Sequence, residues 1–528
     1  MAGLHGRNFL AGTCCDADRR TAAVSPLDGC ELPGRFCQAS LDDAATAVQA
    51  AAAAAEPLAR TTGEVRAGFL ERIAEEILNL GDALIERAGL ETALPAARLV
   101  GERGRTVNQL KLFAALARDG SWVDACIDPA LPDRQPLPRP DLRRLKRPLG
   151  PVIVFGSSNF PLAFSVAGGD TASALCTGNP VIVKAHRAHP GTSELVAGAI
   201  QRAVDACGLP AGTFSMLHGE GSVIGTALVQ HPAARAVGFT GSQAAGRALV
   251  DAAAARPDPI PVFAEMSSLN PVFLLPGALA ERAEAIAKGF VGSMTLGVGQ
   301  FCTKPGLVVA PAGPALEAFK AAVAAEIAAV APASMLTAGI RSAFEQGRDA
   351  AVGKPGTHLV GRSAVAADPA RTQAAGVVLE VDVDSFRAAA ELAAEVFGPF
   401  ALLVVVDAVE QQEQIARTLD GQLTATVHGT SAEMAAAAPL VDILATRAGR
   451  LIVNGWPTGV DVCQAMQHGG PWPATSDSRF TSVGAAALER FIRPVCYQDV
   501  PQSLLPDALR DGNPLGILRR VDGVLDRH

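Results

Sequence analysis

Residues 297–304, G-V-G-Q-F-C-T-K, place a cysteine where it could act as a nucleophile. Cys302 follows a stretch with helical spacing and lies between a glycine-rich turn and the apolar run 306–310. Glycines let the backbone approach a ligand closely. A thiol on such a turn can be exposed and have its pKa tuned, whereas a thiol packed in a core cannot. From this stretch alone a buried, inert cysteine is the alternative, because cysteine is among the most buried residue types.

Short apolar runs, alternating with helical segments, predict a parallel sheet. The runs are 151–156, 180–185, 214–219, 236–241 and 261–266. This alternation is typical of βαβ units whose sheet is covered on both faces, and in such sheets ligands bind beyond the carboxyl ends of the strands. The residues found there are Asn159, then Lys184, His186 and Arg187, then Gly241, Ser242 and Gly246, and finally Glu265.

These strand ends together predict one functional rim. They carry an amide, cations, a glycine-rich helix start and a carboxylate, and a helix start can hold a phosphate through its free N–H groups and its dipole. Singly, each signal is weak: G-S-x-x-x-G is common, and Lys184 alone is expected to be a solvated lysine. His186 is as easily a cap or a core histidine, and no ligand spacing predicts a metal site.

Length and composition set the broad class. The 528 residues are too many for one hydrophobic core, so two or more domains are expected. The net charge of −8 comes without a basic stripe, which excludes nucleic acid as a partner. No signal peptide and no run of about 18 apolar residues is found, so no membrane partner is expected. The ten cysteines form no disulfide framework, which favours a reducing cytoplasm.

The other segments must position the rim and the cysteine. Residues 41–120 are predicted to be helical. Residues 128–149 contain five prolines between Asp128 and Pro140, which excludes a helix there and leaves a linker or an arm that pairs with another subunit. Beyond the cysteine turn, strands are predicted at 306–312, 400–406 and 490–497, and a strand followed by a turn is predicted at 451–456. A polar tail is expected after the last strand.

Across about residues 8–500 the chain resembles the aldehyde dehydrogenase superfamily. The motifs that carry the resemblance are S-N-F-P-L at 158–162, V-I-V-K at 181–184, F-T-G-S-x-x-x-G at 239–246, A-E-M-S-S-L-N-P at 264–271, G-Q-F-C at 299–302 and E-V-F-G-P-F at 395–400. Six motifs in the family's order are far more specific than any one of them. The segments 163–175, 184–192, 455–460 and 468–475 resemble a narrower group, which contains α-ketoglutaric semialdehyde dehydrogenases and a related NADP-dependent fatty aldehyde dehydrogenase.

The resemblance implies an α/β fold with a Rossmann-like cofactor domain, an α/β catalytic domain and a small β oligomerisation arm. The cofactor domain is expected at 1–127 and 150–266, and the catalytic domain at 267–480. The arm and the C-terminal tail are expected at 128–149 and 481–528. Residues 128–149 and the strand near 490–497 are expected to form an antiparallel sheet across a two-fold interface in a homodimer or homotetramer.

The resemblance also implies catalytic roles. Cys302 would attack the aldehyde carbon as a thiolate. The side-chain amide of Asn159 and the backbone N–H of Cys302 would form the oxyanion hole. Loss of hydride to the nicotinamide would leave a thioester, and Glu265 would activate the water that hydrolyses it. The implied reaction is oxidation of 2-oxoglutarate semialdehyde to 2-oxoglutarate, in sugar-acid or hydroxyproline catabolism.

For the cofactor, Lys184 would bind the adenine ribose, and the helix start with Gly241, Ser242 and Gly246 would hold the pyrophosphate. Glu395 would hold the nicotinamide ribose, and Phe397 is also expected to be a cofactor-binding residue. The chain departs from the family where Glu265 is followed by Met-Ser-Ser instead of L-G-G and Lys184 by Ala-His-Arg instead of P-S-E.

The second departure decides the expected cofactor. Arg187 replaces a glutamate that accepts hydrogen bonds from the adenosine ribose hydroxyls in NAD-using members, and a guanidinium suits a 2′-phosphate. NADP is therefore expected, with His186 nearby and with NAD as the alternative; the other interpretation is that Arg187 points to solvent. Alternative functions are oxidation of fatty or other aldehydes, transfer of the thioester to CoA, and a non-catalytic scaffold. Glu265 disfavours the CoA reaction, and the four residues Cys302, Asn159, Glu265 and Glu395 together disfavour the scaffold.

Overall fold

Two seven-stranded sheets organise residues 3–527, the part of the chain that this computed structural model describes. The helices are α1 (Leu41–Ala59), α2 (Gly63–Asn79), α3 (Gly81–Thr92), α4 (Ala96–Asp119), α5 (Gly169–Cys176), α6 (Pro190–Ala206), α7 (Thr226–Gln230), α8 (Gln243–Ala254), α9 (Pro276–Thr295), α10 (Pro314–Ala328), α11 (Ala338–Val352), α12 (Val383–Ala388), α13 (Glu410–Thr418), α14 (Ser431–Ala436) and α15 (Ala438–Ala445).

The described strands belong to these two sheets, to a smaller five-stranded sheet and to two two-stranded sheets, β3-β4 and β14-β16. They are β1 (Asn8–Leu10), β2 (Thr13–Cys15), β3 (Arg20–Val24), β4 (Glu31–Cys37), β5 (Cys126–Asp128), β6 (Leu142–Pro148), β7 (Val152–Phe155), β8 (Val181–Lys184), β9 (Phe214–Leu217), β10 (Ala236–Thr240), β11 (Val262–Glu265), β12 (Val272–Leu274), β13 (Leu307–Pro311), β14 (Ala333–Ser334), β15 (His358–Arg362), β16 (Gln373–Ala374), β17 (Val377–Asp382), β18 (Phe400–Val406), β19 (Gln422–His428), β20 (Ala448–Val453), β21 (Ile492–Gln498), β22 (Arg519–Val521) and β23 (Val524–Asp526).

The first large sheet has the strand order β11-β10-β7-β8-β9-β1-β2. Its five parallel strands, β7 to β11, lie inside the five predicted apolar runs, so the predicted parallel sheet is confirmed. The chain starts at β7, builds outward to β9, and then returns to place β10 on the other side of β7. Neighbouring strand ends at such a reversal diverge and leave a crevice for a ligand.

Strand register brings the predicted rim residues side by side. Lys184 pairs with Phe155, and Glu265 pairs with Thr240, at the carboxyl ends of their strands. Strands β1 and β2 extend the sheet at its far edge in antiparallel fashion, although residues 8–15 carry no alternating apolar pattern from which a strand could be predicted.

Residues 41–119, predicted to be helical, fold as the four helices α1 to α4. The first begins at Ser40, whose hydroxyl accepts the Asp43 N–H while the Asp43 carboxylate accepts the Ser40 N–H, a capping box. The fourth, α4, has 24 residues and begins after Pro95. It packs on α2 and α5, and one of its faces is turned toward Asn159 and Phe301.

The second large sheet has the order β15-β17-β18-β13-β12-β19-β20 and is parallel except for β15. The strands predicted at 306–312 and 400–406 are β13 and β18, which are paired neighbours. The strand predicted at 451–456 begins earlier, at Ala448, and ends at Val453. Trp456, just beyond it, packs on Phe290 and His428.

The smaller sheet has the order β21-β6-β5-β22-β23. Strand β6 from the proline-arginine segment pairs antiparallel with β21, with Pro148 opposite Ile492 and Leu142 opposite Gln498. The segment is therefore extended and is not a free linker, but β6 pairs with β21 of the same chain, so the expected pairing of these two strands across a two-fold interface is not what the structure shows. The residues after 498, expected as a polar tail, contribute β22 and β23 to the same sheet. Among the helices of residues 3–527, none combines the length and apolar character needed to cross a bilayer.

Candidate active site

The turn after α9 holds Cys302 in a defined position. Gly297, Val298 and Gly299 have φ angles of 56°, 60° and 67°, so three successive residues are left-handed. A Cβ atom on Gly299 would lie 2.3 Å from the carbonyl carbon of Gly398, so only glycine fits there. The Nδ2 atom of Asn270 donates to the carbonyl oxygen of Cys302 at 2.9 Å. The cysteine is partly exposed and is not a core residue.

Three side chains from distant parts of the chain meet at the thiol. The Sγ atom of Cys302 lies 3.4 Å from Nε2 of His468, and that nitrogen lies 2.9 Å from Oε1 of Glu265. The hydroxyl of Ser482 donates to Oε2 of Glu265. The sulfur, nitrogen and oxygen atoms of the trio Cys302, His468 and Glu265 all lie within 4.8 Å of one another.

Residues 468–482 reach Glu265 because this segment runs along β11. Met266 N donates to Ala474 O at 2.8 Å, and Ser476 N donates to Ala264 O at 3.0 Å. The segment contains H-G-G-P-W-P-A-T, which serves only as a family marker in the sequence analysis. His468 and Ser482 were therefore missed as site residues. The one available signal was the histidine that opens this motif. Its spacing in the sequence does not connect it with Glu265.

Burial and the neighbouring groups set the two pKa values that matter for proton transfer. Burial would raise the pKa of Glu265, but the charge of His468 and the hydrogen bonds from His468 and Ser482 outweigh it and hold the pKa below its ordinary value. Burial first, and then the charge of Glu265, raise the pKa of the Cys302 thiol well above its ordinary value. The resting arrangement is therefore a carboxylate beside a protonated thiol.

Asn159 lies in the loop after β7 and approaches the cysteine turn. Its Nδ2 atom donates to the carbonyl oxygen of Gln300 at 3.0 Å, which fixes the orientation of the amide and leaves its second N–H free. The backbone carbonyl oxygen of Asn159 accepts a hydrogen bond from Nη2 of Arg98 at 2.6 Å. The backbone N–H of Cys302 has no acceptor among residues 3–527. Two N–H donors are thus available beside the sulfur.

The strand end of β8 places one buried and one exposed cation side by side. Lys184 is buried, and burial, reinforced by the charge of Arg187, lowers its pKa to about 8. Arg187 is exposed and has neither a hydrogen bond nor an ion pair with any described residue. The Nδ1 atom of His186 accepts the N–H of Ala188 at 3.1 Å, and its ring stacks on His189. His186 therefore has a structural role in this turn.

The start of helix α8 offers free N–H groups at the same rim. Ser242 caps the helix by accepting the N–H of Ala245, and Gly241 N donates to the carbonyl oxygen of Glu265 at 3.1 Å. A Cβ atom on Gly246 would lie 2.6 Å from Sδ of Met266, so this glycine allows α8 to pack against the end of β11. Gly246 acts through packing, whereas Gly241 and Ser242 shape the helix start.

Glu395 lies before β18 and faces the residues that follow Glu265. Burial raises its pKa to about 7, against the charge of Lys304 and hydrogen bonds from Ser267 and Ser268. The ammonium of Lys304 donates to the carbonyl oxygens of Val396 and Phe400, which anchors this loop. Phe397 is half-buried in the same loop. The Met-Ser-Ser departure thus lies next to Glu395.

These groups fit a dinucleotide. The helix start and the two cations are suited to phosphates, and a carboxylate such as Glu395 is suited to ribose hydroxyls. The groups come from both large sheets, and they lie at the carboxyl ends of the strands of the first. The structure therefore provides a nucleophile, two N–H donors, a carboxylate and a dinucleotide cradle.

Comparison with known proteins identifies the class. Residues 15–492 match the aldehyde dehydrogenase family, and the chain belongs to that family. Membership implies NAD or NADP as the cofactor and an aldehyde as the substrate. A variant of aldehyde dehydrogenase C from Pseudomonas syringae, solved with NAD+ and octanal, has the same fold with a TM-score of 0.79 and 21% identity, over 94% of this chain and 97% of that one.

Two curated relatives are more similar in sequence. Alpha-ketoglutaric semialdehyde dehydrogenase 2 of Azospirillum brasilense is 58% identical over 472 residues, which cover 89% of this chain and 88% of the relative. Alpha-ketoglutaric semialdehyde dehydrogenase of Acinetobacter baylyi is 46% identical over 537 residues and the full length of both proteins. The narrower resemblance drawn from the sequence motifs is therefore confirmed.

Proposed function

We propose that this enzyme oxidises 2-oxoglutarate semialdehyde to 2-oxoglutarate with NADP, through a thioester on Cys302. The observation that carries the proposal is the cluster in which Nε2 of His468 lies within hydrogen-bond distance of both Cys302 and Glu265, beside the amide of Asn159. The names of the two curated relatives support the choice of substrate.

In the first step Glu265 takes the proton of the thiol. Before transfer, its carboxylate accepts hydrogen bonds from His468 and Ser482. After transfer, the carboxyl group is neutral and the sulfur carries the charge. The Nε2–H of His468, 3.4 Å from the sulfur, can then turn to the thiolate. One imidazole N–H thus stabilises whichever of the two groups is the anion, which offsets the high pKa of the Cys302 thiol.

Attack of the thiolate on the aldehyde carbon forms a C–S bond and puts negative charge on the former carbonyl oxygen. The second N–H of Asn159 and the backbone N–H of Cys302 are the donors for this oxygen. When bound, NADP accepts the hydride that leaves this carbon. Glu265 first releases the thiol proton to solvent. It then takes a proton from the water that attacks the thioester and passes it to the leaving sulfur, which releases the acid and restores the thiol.

The cofactor assignment rests on cations at the rim of the first sheet. When NADP is bound, Lys184 would bind the adenosine ribose, Arg187 its 2′-phosphate and the start of α8 the pyrophosphate, and Glu395 would accept hydrogen bonds from the hydroxyls of the nicotinamide ribose. Arg187 is available for the 2′-phosphate because no described residue occupies its guanidinium. Residues 1–127 and 150–266 then form the cofactor domain, 267–480 the catalytic domain, and the smaller sheet the oligomerisation arm of a cytoplasmic dimer or tetramer.

A panel of aldehydes tests the proposal. NADPH formation is measured as kcat/KM with 2-oxoglutarate semialdehyde, succinic semialdehyde, pentanal and a long-chain fatty aldehyde, each with and without CoA. We expect the highest value for 2-oxoglutarate semialdehyde, and no effect of CoA. A preference for the fatty aldehyde would replace the proposed substrate, a requirement for CoA would replace hydrolysis, and no NADPH with any aldehyde would favour a scaffold.

A further inference from the structure

A cavity of about 360 Å³ opens beside the reacting groups. It is lined by Phe160 and Phe301, each directly adjacent in sequence to a reacting residue, Asn159 and Cys302. The two rings meet edge to face, with their centroids 5.3 Å apart. Because both rings are neighbours of reacting residues, an aldehyde held by Cys302 would extend its tail into this cavity.

One stripe of helix α4 forms the opposite wall. Arg98, Glu102 and Arg105 follow each other at intervals of four and three residues, so they share one helix face, and all three line the cavity. Two guanidinium groups face one carboxylate, so the wall carries an excess of positive charge. The carboxylate is occupied from another direction, because Oε1 of Glu102 accepts the N–H groups of Leu162 and Ala163 at 2.8 and 3.0 Å.

The two arginines differ in what they contact. Arg98 donates to the carbonyl oxygen of Asn159 and lies over the rings of Phe160 and Phe301, 5.0 Å from each centroid. Arg105 lies over Phe160 and Phe164 at 6.0 and 5.3 Å. It makes no ion pair with a described residue, and its buried Nε and Nη2 atoms have no acceptor within residues 3–527. Buried donors are nearly always paired, so such a group calls for a ligand.

The electrostatics agree with this geometry. Burial lowers the pKa of Arg105, and the charge of Cys302 is the largest of those that act in the opposite direction. The guanidinium therefore lies within electrostatic range of the reacting sulfur. The rings of Phe160 and Phe164 cover part of the guanidinium, and partial burial strengthens any charge pair formed there. An anionic group a few bonds from the aldehyde carbon matches such a site.

We infer that Arg105 binds the C1 carboxylate of the substrate, assisted by Arg98, and so selects a short aldehyde that ends in a 2-oxo acid. This inference rests on the proposed function, because it assumes that the aldehyde carbon is at Cys302. It names the residue that recognises the tail of the substrate, whereas the reaction itself requires only the groups around the sulfur. The planar guanidinium suits a carboxylate and the adjacent 2-oxo oxygen.

The test compares a charged and an uncharged aldehyde of the same chain length. Arg105→Met should lower kcat/KM for 2-oxoglutarate semialdehyde by about tenfold to a hundredfold, mainly through KM, because charge-assisted hydrogen bonds are lost. Activity on pentanal should stay within about twofold or rise, since the methionine keeps the apolar wall. Arg105→Lys should be intermediate. Lys111→Met, on an exposed part of the same helix, is the matched control and should change neither value.

A binding measurement separates the inference from the proposed reaction. Calorimetric titration with 2-oxoglutarate should show binding to the wild type and to Lys111→Met, and about tenfold or weaker binding to Arg105→Met. The inference would be overturned if the wild type and Arg105→Met bound 2-oxoglutarate equally well. It would also be overturned if Arg105→Met lost equal activity on both aldehydes while its affinity for 2-oxoglutarate was unchanged. If the wild type binds 2-oxoglutarate through Arg105 but does not oxidise the semialdehyde, the proposed reaction fails and the anion site stands.

Discussion

The Nε2 atom of His468 lies 2.9 Å from Oε1 of Glu265, and both side chains are buried. The same nitrogen lies 3.4 Å from the sulfur of Cys302. A single N–H donor therefore faces both the group that gives up a proton and the group that receives it. This relationship makes the high pKa of the thiol compatible with a nucleophilic role, because the thiolate gains a donor at the moment it forms.

Replacing this histidine should slow the formation of the thiolate. His468→Gln is expected to lower kcat/KM by about a hundredfold, because the thiolate loses the imidazole N–H that stabilises its charge. The rate at which iodoacetamide alkylates the peptide that carries Cys302, followed by mass spectrometry against pH, measures the thiolate without turnover. In His468→Gln the midpoint of this rate-against-pH curve should move to higher pH. His358→Gln, on an exposed strand, is the control, and an unchanged profile in His468→Gln would exclude the proposed role.

Arg187 should decide the choice between NADP and NAD. We expect the wild type to prefer NADP by about tenfold to a hundredfold in kcat/KM, because a charge-assisted contact with the 2′-phosphate contributes about 1.5–3 kcal/mol. Arg187→Glu should lower activity with NADP and narrow or reverse the preference. Dissociation constants of the two cofactors, measured by fluorescence titration, should shift in the same direction. If the wild type uses both cofactors and the variant changes neither, the assignment is wrong.

The pKa of Lys184, about 8, predicts how cofactor binding depends on pH. Burial disfavours the charged form, so the ammonium is present below about pH 8 and is lost above it. The KM for NADP should therefore rise as the pH increases through this value, while the KM for pentanal stays level. Lys184→Arg keeps its charge at every accessible pH and should remove the rise. If the KM for NADP rises equally with pH in the wild type and in Lys184→Arg, the pH dependence comes from a group other than Lys184.

The arm predicts an oligomer. Strand β21 lies at the edge of the smaller sheet and carries exposed residues, so its outer side is open for pairing with a second copy. Light scattering at micromolar concentration should give about two or four times the chain mass of 54.1 kDa. The intrachain pairing of β6 with β21 is compatible with either size, whereas a mass of one chain would contradict the prediction.

The sequence predicted those parts of the fold that repeat a simple pattern. Apolar runs between helical segments located β7 to β11, and their ends located Asn159, Lys184 and Glu265. Strands β1 and β2 lack an alternating pattern, and only pairing with β9 makes them part of the sheet. For the proline-rich segment the sequence does not distinguish a linker from an arm, because an extended segment does not show which strand it pairs with.

The missed site residues have a common physical cause. His468 and Ser482 come from an irregular segment that lies more than 200 residues after Glu265, and irregular backbone carries no periodicity from which a contact could be inferred. Arg105 has the spacing of an ordinary helix surface, and only the folded chain shows that its face is covered by aromatic rings. His186, assigned to the cofactor from its position, is held in a local turn.

The most direct test of the central claim is whether Cys302 carries the acyl group. Glu265→Gln keeps the shape of the side chain but cannot activate water, so the thioester should accumulate. Because Glu265 also accepts the thiol proton in the first step, the assay is run at alkaline pH, where the thiol can ionise without the carboxylate. With NADP and 2-oxoglutarate semialdehyde we expect a slowed burst of about one NADPH per active site, and then a stall. Mass spectrometry should show a 2-oxoglutaryl group on the peptide that carries Cys302, and none in Cys302→Ser. Unimpaired steady-state turnover of Glu265→Gln, or an unmodified Cys302 after the burst, would contradict the account.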